Sequence, residues 1–276
     1  MAKLPRLPDL LTTANLCCGV LSILLASQGQ LTIACGLIFL AALFDVLDGL
    51  AARAMGGGSE LGKQLDSLAD MVSFGVAPAF IAAISPVEAL QLLTSLHRDH
   101  AAELSPFGEL FSRPVWVSVT CALVIVTASA WRLAKFNIDT RQSHGFLGLA
   151  TPANALFWAS TGFITWGIGV MDGPGAGELW NHLGTFAEDP FLKLAAAFIL
   201  GVLMLSELPL PSLKFKHFKW KGNEVIYLLI AVGVILALLY GILAVPLILV
   251  IYLLSPLWGK LFPKNPTTSP GSTGSP

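Results

Sequence analysis

The chain has 276 residues, of which 55% are hydrophobic and only 12% are charged. Soluble domains carry about 25% charged residues, so this composition excludes an ordinary soluble protein and indicates a membrane protein. The formal net charge of -1 gives no reason to expect nucleic acid as a partner.

Long apolar segments dominate the chain. A helix needs about 20 apolar residues to cross the hydrocarbon core, and only helices or closed barrels satisfy every backbone group in lipid. Because the segments are long and continuously apolar, the sequence predicts an all-α membrane helix bundle with about eight transmembrane helices. The predicted spans are residues 10–27, 31–54, 62–84, 115–137, 150–170, 190–207, 223–242 and 244–262.

The connections between the spans complete the predicted organisation. The last two spans are separated only by a tight turn near Gly241 and Pro246. Residues 85–114 are mixed and partly amphipathic, and we expect them to form an outer loop. Residues 1–262 are therefore predicted to form a single integral membrane domain. Residues 263–276 are rich in Pro, Ser, Thr and Gly and are predicted to be a disordered tail.

The distribution of positive charge predicts the orientation. Thirteen of the sixteen Lys and Arg residues lie at the two ends of the chain or after even-numbered spans, and Arg98, Arg113 and Lys193 lie on the opposite side. Loops rich in Lys and Arg face the cytoplasm. The sequence therefore predicts that both termini are cytoplasmic, which requires an even number of spans.

Four aspartates lie in otherwise apolar surroundings: Asp45, Asp48, Asp66 and Asp70. A carboxylate at membrane depth costs at least about 2.5–3.5 kcal/mol. Residues three or four apart share one face of a helix, so each pair lies on one face. A glycine-rich connector at residues 54–61 suits a sharp turn between the two helices. We therefore expect two antiparallel helices whose acidic faces converge at the cytoplasmic side.

Ligand chemistry indicates what such a cluster binds. Oxygen ligands without nearby His or Cys favour Mg²⁺, Mn²⁺ or Ca²⁺ over zinc. Four carboxylates can hold two ions, which in two-metal enzymes lie about 3.5–4 Å apart and grip a diphosphate. Small residues at positions 49, 52 and 62 leave room for such a ligand, and Arg53 can pair with a phosphate. A helix-packing hydrogen bond or a proton relay is the alternative explanation for intramembrane aspartates.

The spacing of these residues resembles a known family. The run Asp45-x2-Asp48-Gly49-x2-Ala52-Arg53-x8-Gly62-x3-Asp66-x3-Asp70 is similar, position for position, to the signature of the CDP-alcohol phosphotransferases. Members of that family are integral membrane enzymes that displace CMP from a CDP-linked substrate with an alcohol. The resemblance implies that Asp45, Asp48 and Asp66 are metal ligands and that Asp70 is a further ligand and the general base. It also implies a homodimer and a CDP site lined by Gly49, Ala52, Arg53, Gly62 and Asn15.

Within that family the chain resembles the bacterial phosphatidylserine synthase branch. The resemblance runs from about residue 8 to the seventh span. Its markers are Asn15, Asp66-Ser-Leu-Ala-Asp-Met-Val-Ser-Phe-Gly-Val-Ala-Pro78, Arg132-Leu-Ala-Lys-Phe-Asn137, Gly148-Leu-Ala-Thr-Pro-Ala153 and Pro211-Ser-Leu-Lys214. Two residues depart from it: Ala150 replaces a usual proline, and Asn154 replaces a small apolar residue.

This resemblance implies transfer of a phosphatidyl group from CDP-diacylglycerol to the hydroxyl of L-serine, in the bacterial inner membrane with a cytoplasmic site. Serine needs a cation for its carboxylate and polar partners for its ammonium group. The candidates at the inner face are Arg132, Lys135, Asn137, Arg141 and Ser73. Basic residues at inner helix ends are also common as orientation signals. Glycerol 3-phosphate or inositol phosphate is the alternative acceptor, and an ion transporter is the non-enzymatic alternative.

Overall fold

The computed structural model describes residues 6–84, 113–139, 146–165, 176–210 and 224–258, and helices make up nearly all of this part of the chain. Most of the predicted outer loop and the whole predicted tail lie outside these residues. The α-helices in chain order are α1 (Leu7–Ser27), α2 (Leu31–Ala54), α3 (Glu60–Asp70), α4 (Ala77–Ala83), α5 (Arg113–Ile138), α6 (Thr151–Thr165), α7 (Ala176–Glu188), α8 (Pro190–Leu205), α9 (Glu224–Tyr240) and α10 (Ala244–Trp258).

The predicted membrane fold is confirmed. Among the described residues, five helical stretches are long and apolar enough to cross a membrane: Leu7–Ser27, Leu31–Ala54, Glu60–Ala83, Trp116–Ile138 and Ile226–Ser255. The predicted sixth span is shorter than expected, because α8 has 16 residues. The predicted fifth span is described only as far as Thr165, as α6. Sixteen helical residues reach about 24 Å, less than the roughly 30 Å of the hydrocarbon core. The additional helix α7 was not predicted from the sequence.

The stretch Ile226–Ser255 is a hairpin of two helices. A single 3-10 turn at Gly241–Leu243 separates α9 from α10, and Gly241 has a φ of 56°, which favours glycine. A Cβ placed on Gly233 would lie 3.8 Å from the Cδ1 atom of Ile248. In one straight helix, residues this far apart in the chain would be separated by about 22 Å. The predicted turn near Gly241 is therefore confirmed.

The third span contains a π-helical segment. Ser59 caps the start of α3, where its hydroxyl accepts a hydrogen bond of 2.9 Å from the Gly62 backbone amide. After Asp70 the backbone widens into a π-helix at Met71–Val76 and then continues as α4. Widened turns of this kind occur frequently at functional sites. The sequence predicted one continuous span here and gave no sign of the π-helix.

A short β-pairing joins two connections on one face of the bundle. Strand β1 (Phe146–Leu147) pairs antiparallel with β2 (Pro209–Leu210), with Phe146 opposite Leu210. Nearby, the Gly148 backbone amide donates to the Leu208 carbonyl at 2.9 Å. The segment before α6 is therefore fixed to the segment after α8.

Side-chain contacts show which helix ends lie at the same end of the bundle. Lys193 at the start of α8 is buried, and its ammonium donates to the Ala82 carbonyl at the end of α4 (3.0 Å). At the other end of α8, the Lys135 ammonium of α5 lies 3.4 Å from the Leu205 carbonyl. These contacts agree with the predicted alternation of helix direction along the chain.

The buried face of α1 is unusually polar and small. It carries Thr12, Asn15, Gly19 and Ser22, at spacings of three or four residues. Small and polar residues are typical of helix contacts in membranes, because they permit close approach and hydrogen bonding. Gly19 lies against the π-helix: a Cβ on it would be 2.7 Å from the Ser73 Cα atom. The first span therefore packs closely against the segment that follows Asp70.

This close approach gives a stability prediction. Gly19→Ala places a methyl group against backbone atoms of Ser73, and we expect it to destabilise the protein by about 1–3 kcal/mol. Thermal unfolding of the purified protein in detergent measures the effect. The matched control is Gly36→Ala in α2, where the new Cβ would meet the Phe163 ring at an ordinary 3.8 Å. Equal unfolding temperatures for the two variants would contradict the prediction.

Candidate functional site

Three carboxylates converge where α2 and α3 approach each other. Asp45 and Asp48 lie one turn apart on α2, and Asp66 lies on α3. One carboxylate oxygen from each of the three lies within 4.8 Å of the others. Gly56 and Gly57, both with positive φ, reverse the chain between the helices. The predicted convergence is confirmed for these three side chains.

Asp70 lies beside this group and has a different partner. It is buried, and its Oδ1 atom accepts a hydrogen bond of 3.1 Å from the side-chain amide of Asn15 in α1. Its oxygens are not part of the group of three. The role of Asp70 as a further ligand stays a prediction.

The donor set fits a hard divalent cation. The Oδ1 atom of Asp66 is buried and has no hydrogen-bond partner among the described residues. The ion pairs found in the described part of the chain join Lys63 to Glu60 and Lys135 to Glu207, so none of them neutralises the three aspartates. Asp48 is buried and Asp45 and Asp66 are half-buried, and carboxylates clustered away from water are stabilised by a compensating positive charge. Oxygen ligands of this kind suit Mg²⁺, Mn²⁺ or Ca²⁺.

A cleft of about 120 Å³ opens beside the three carboxylates. Gly49, Ala52 and Gly62, which the sequence assigned to the CDP site, line it together with Asp48 and Asp66. These small residues keep the cleft open: a Cβ on Gly62 would lie 3.0 Å from Asp9 Oδ1. The remaining lining residues are Arg6, Pro8, Asp9, Thr12, Met55, Gly57, Gly58, Ser59 and Lys63.

Two further residues predicted for the CDP site lie near the cleft without lining it. The Arg53 guanidinium is exposed and lies 3.4 Å from the position of a Cβ on Gly49. Asn15 is fully buried and contacts Asp70. Its Oδ1 atom has no hydrogen-bond partner in the described part of the chain.

Apart from Asn15, sequence reasoning missed the residues that α1 contributes to the site. Arg6, Asp9 and Thr12 line the cleft, and the Thr12 hydroxyl donates to Asp48 Oδ2 at 2.7 Å. A signal for it was present in the sequence. Polar or small residues recur every three or four positions from Thr12 in an otherwise apolar helix, which indicates a buried helix contact.

Two residues predicted to bind serine instead donate hydrogen bonds to backbone carbonyls of other segments. Arg132 is 4% exposed, and its Nε atom donates to the Leu149 carbonyl at 3.2 Å. Its guanidinium also lies over the Phe136 ring, 5.5 Å from the centroid. Lys135 approaches the Leu205 carbonyl and lies 3.7 Å from the Glu207 carboxylate. Both side chains therefore tie α5 to the connections beside α6 and α8.

The other predicted serine contacts are placed differently. The Asn137 side-chain amide donates to the Ser67 hydroxyl at 2.8 Å, next to Asp66 in the chain. Ser73 is fully buried in the π-helix, and its hydroxyl donates to the Ala69 carbonyl at 2.7 Å. Arg141 lies outside the described residues. Among the described members of this set, Asn137 joins α5 to α3 through its side chain.

The fold and the site together define an integral membrane protein whose second and third spans present a carboxylate cluster suited to divalent metal. Comparison with known families gives the same result. Residues 6–172, more than half of the chain, match the family model described as CDP-alcohol phosphatidyltransferase. The chain therefore belongs to the CDP-alcohol phosphatidyltransferase family.

Several known proteins are similar to this chain over more than half of its length. A CDP-diacylglycerol–serine O-phosphatidyltransferase of Helicobacter pylori is 31% identical over 232 residues, covering 83% of this chain and 80% of that protein. A protein of the same name from Bacillus subtilis is 28% identical, covering 79% of this chain and 94% of that protein. An archaetidylserine synthase of Methanothermobacter thermautotrophicus is 37% identical over 164 residues, covering 58% and 60% of the two chains.

Proposed function

We propose that the protein transfers the phosphatidyl group of CDP-diacylglycerol to the hydroxyl of L-serine, giving phosphatidylserine and CMP. The observation that carries this proposal is the group of Asp45, Asp48 and Asp66 beside an open cleft, in a chain of this family. The names of the Helicobacter and Bacillus relatives support serine as the acceptor.

The proposed cofactor is divalent metal, two ions of Mg²⁺ or Mn²⁺, held by Asp45, Asp48 and Asp66 with Asp70 as a further ligand. When bound, such ions neutralise the negative charge of a diphosphate and of the leaving phosphate. The unpartnered, buried oxygen of Asp66 supports a ligand role for this residue.

The remaining chemistry falls to the side chains around the cleft. Gly49, Ala52 and Gly62 leave space for the CDP group, and Arg53 pairs with a phosphate. Asp70 accepts the proton of the serine hydroxyl while the serine oxygen bonds to the phosphatidyl phosphorus and the bond to the CMP oxygen breaks. Asn15, proposed with the CDP residues, reaches this region through its hydrogen bond to Asp70.

The acceptor site is proposed at the same end of the bundle, from Arg132, Lys135, Asn137, Arg141 and Ser73. The contact between Asn137 and Ser67 supports a location close to Asp66. Arg132 and Lys135 would act by shaping the backbone around the site, since both already bind carbonyl groups.

The lipid substrate fits a membrane location. The acyl chains can stay in the bilayer while the diphosphate reaches the carboxylates at the helix ends. The positive charges near those ends favour the cytoplasmic face, so we place both termini and the site on that side of a bacterial inner membrane. A homodimer is proposed by analogy with the family.

An acceptor panel tests the function. The purified full-length protein in detergent, given CDP-diacylglycerol and Mn²⁺, should release CMP when L-serine is added. No release is expected with glycerol 3-phosphate or inositol phosphate, or with serine when EDTA replaces the metal. CMP release measured by chromatography, together with phosphatidylserine in the lipid extract, checks both products.

The same panel separates the alternatives. CMP release that depends on glycerol 3-phosphate or inositol phosphate would keep the family chemistry and overturn the serine assignment. No CMP release with any acceptor, from protein that is folded and binds Mn²⁺, would contradict an enzymatic function and favour ion transport.

A further inference from the structure

The first helix places a hydroxyl group against one of the three clustered carboxylates. Thr12 is 3% exposed and Asp48 is 6% exposed, so the 2.7 Å hydrogen bond between them is shielded from water. The two residues lie on different helices. Among the described residues, Asp48 is the member of the cluster whose carboxylate accepts a side-chain hydrogen bond.

The Thr12 hydroxyl has two acceptors within reach and one proton to donate. It lies 2.7 Å from Asp48 Oδ2 and 3.0 Å from the Pro8 carbonyl, one turn earlier in α1. Threonine hydroxyls in helices commonly contact the carbonyl four residues before them. A hydrogen bond to a charged carboxylate is shorter and stronger than one to a neutral carbonyl, so the proton belongs on the Asp48 side.

This hydrogen bond restricts the orientation of the Asp48 carboxylate. The terminal torsion of an aspartate is broad, so helix packing alone does not fix the plane of its carboxylate. A donor on a neighbouring helix fixes that plane and leaves the other oxygen of Asp48 for a ligand. Hydrogen-bonded partners of metal ligands act in this way, and their loss typically costs about 10- to 100-fold in metal affinity or activity.

The same face of α1 repeats the arrangement one turn further along. Asn15, three residues after Thr12, donates to Asp70 on α3. The first helix thus holds one carboxylate of α2 and one of the third span. This second contact shows that α1 does more than cover the site.

We infer that Thr12 is a positioning residue: its hydroxyl orients the Asp48 carboxylate for divalent metal. The inference rests on the proposed function only in taking Asp48 as a metal ligand. It does not depend on the identity of the acceptor.

Mn²⁺ binding to the full-length protein without substrates tests the inference. The electron paramagnetic resonance signal of free Mn²⁺ gives the dissociation constant. Thr12→Val keeps the shape of the side chain and removes the hydroxyl, and we expect about tenfold weaker binding. Thr12→Ser restores the hydroxyl and should restore the affinity. Thr12→Ala carries the same expectation as the valine variant, in case valine impairs folding.

The neighbouring Thr13 offers a matched control. Its hydroxyl donates to the Asp9 carbonyl at 2.7 Å, and the side chain is exposed. Thr13→Val removes the same hydroxyl one position away and should bind Mn²⁺ as the unmodified protein does. Unchanged affinity in Thr12→Val and Thr12→Ala, or no rescue by serine, would overturn the inference.

The outcome is separable from that of the acceptor panel. If Thr12→Val binds Mn²⁺ more weakly but the unmodified protein releases no CMP with serine, the positioning role is retained and the proposed acceptor is rejected. If the unmodified protein releases CMP with serine but Thr12→Val binds Mn²⁺ with unchanged affinity, the acceptor is retained and the positioning role is rejected.

Discussion

Asp66→Asn is expected to lower metal-dependent CMP release by about 1,000-fold, which corresponds to about 4 kcal/mol of lost transition-state stabilisation. Asp66 contributes one of three carboxylate oxygens that lie within 4.8 Å of one another. Its Oδ1 atom is buried without a hydrogen-bond partner in the described part of the chain, so it is available to a cation. The asparagine keeps the size of the side chain and removes its charge. Mn²⁺ binding should weaken together with turnover.

The control for this variant is the same substitution at a distant aspartate. Asp189 caps α8, where its side chain accepts hydrogen bonds from the backbone amides of Phe191 and Leu192. Asparagine is an equally good helix cap, so Asp189→Asn should leave folding, Mn²⁺ binding and CMP release unchanged. Near-normal turnover in Asp66→Asn, with Mn²⁺ affinity equal to that of the control, would remove Asp66 from the metal site.

The acidic site was predictable because its determinants are local in sequence. Asp45 and Asp48 share a helix face at any tertiary arrangement, and a short glycine-rich turn forces the next helix to return alongside. Acidic residues within apolar spans also stand out in the sequence, since a carboxylate at membrane depth is costly unless a positive charge compensates it. Spacing and composition were therefore sufficient to predict that Asp66 lies beside Asp45 and Asp48.

The partners of the site were not predictable in the same way. The hydrogen bonds from Thr12 to Asp48 and from Asn15 to Asp70 join positions 36 and 55 residues apart in the chain. Such pairs depend on how α1 rotates against its neighbours, and no spacing rule in a single sequence specifies that rotation. The π-helix after Asp70 likewise depends on packing, including the close contact between Gly19 and Ser73.

The basic residues of α5 show a different limit. A cation at the inner end of a span has three common roles: an orientation signal, a ligand contact, or a cap for free carbonyl groups. Sequence alone does not separate them. Arg132 and Lys135 bind the carbonyls of Leu149 and Leu205, one just before α6 and the other at the last residue of α8, where carbonyls have no partner within a helix.

Asp70→Asn is expected to lower kcat for phosphatidylserine formation by about 100- to 10,000-fold, the range that a positioned general base supplies. The side chain is buried and receives a hydrogen bond from Asn15. An asparagine oxygen can accept that same hydrogen bond, so the packing of α1 against the third span should persist. The variant loses the ability to take the proton of the serine hydroxyl, together with the charge that Asp70 would add as a further metal ligand.

Mn²⁺ binding distinguishes this loss from that of Asp66→Asn. The oxygens of Asp70 are not part of the group formed by Asp45, Asp48 and Asp66, so metal affinity should change far less in Asp70→Asn than in Asp66→Asn. Labelled serine incorporated into lipid gives kcat and KM, and the Mn²⁺ resonance signal gives the affinity. Near-normal kcat in folded Asp70→Asn would refute the base assignment. A loss of Mn²⁺ binding as large as that of Asp66→Asn would instead make Asp70 chiefly a metal ligand, which would require its carboxylate to turn from Asn15 toward the other three.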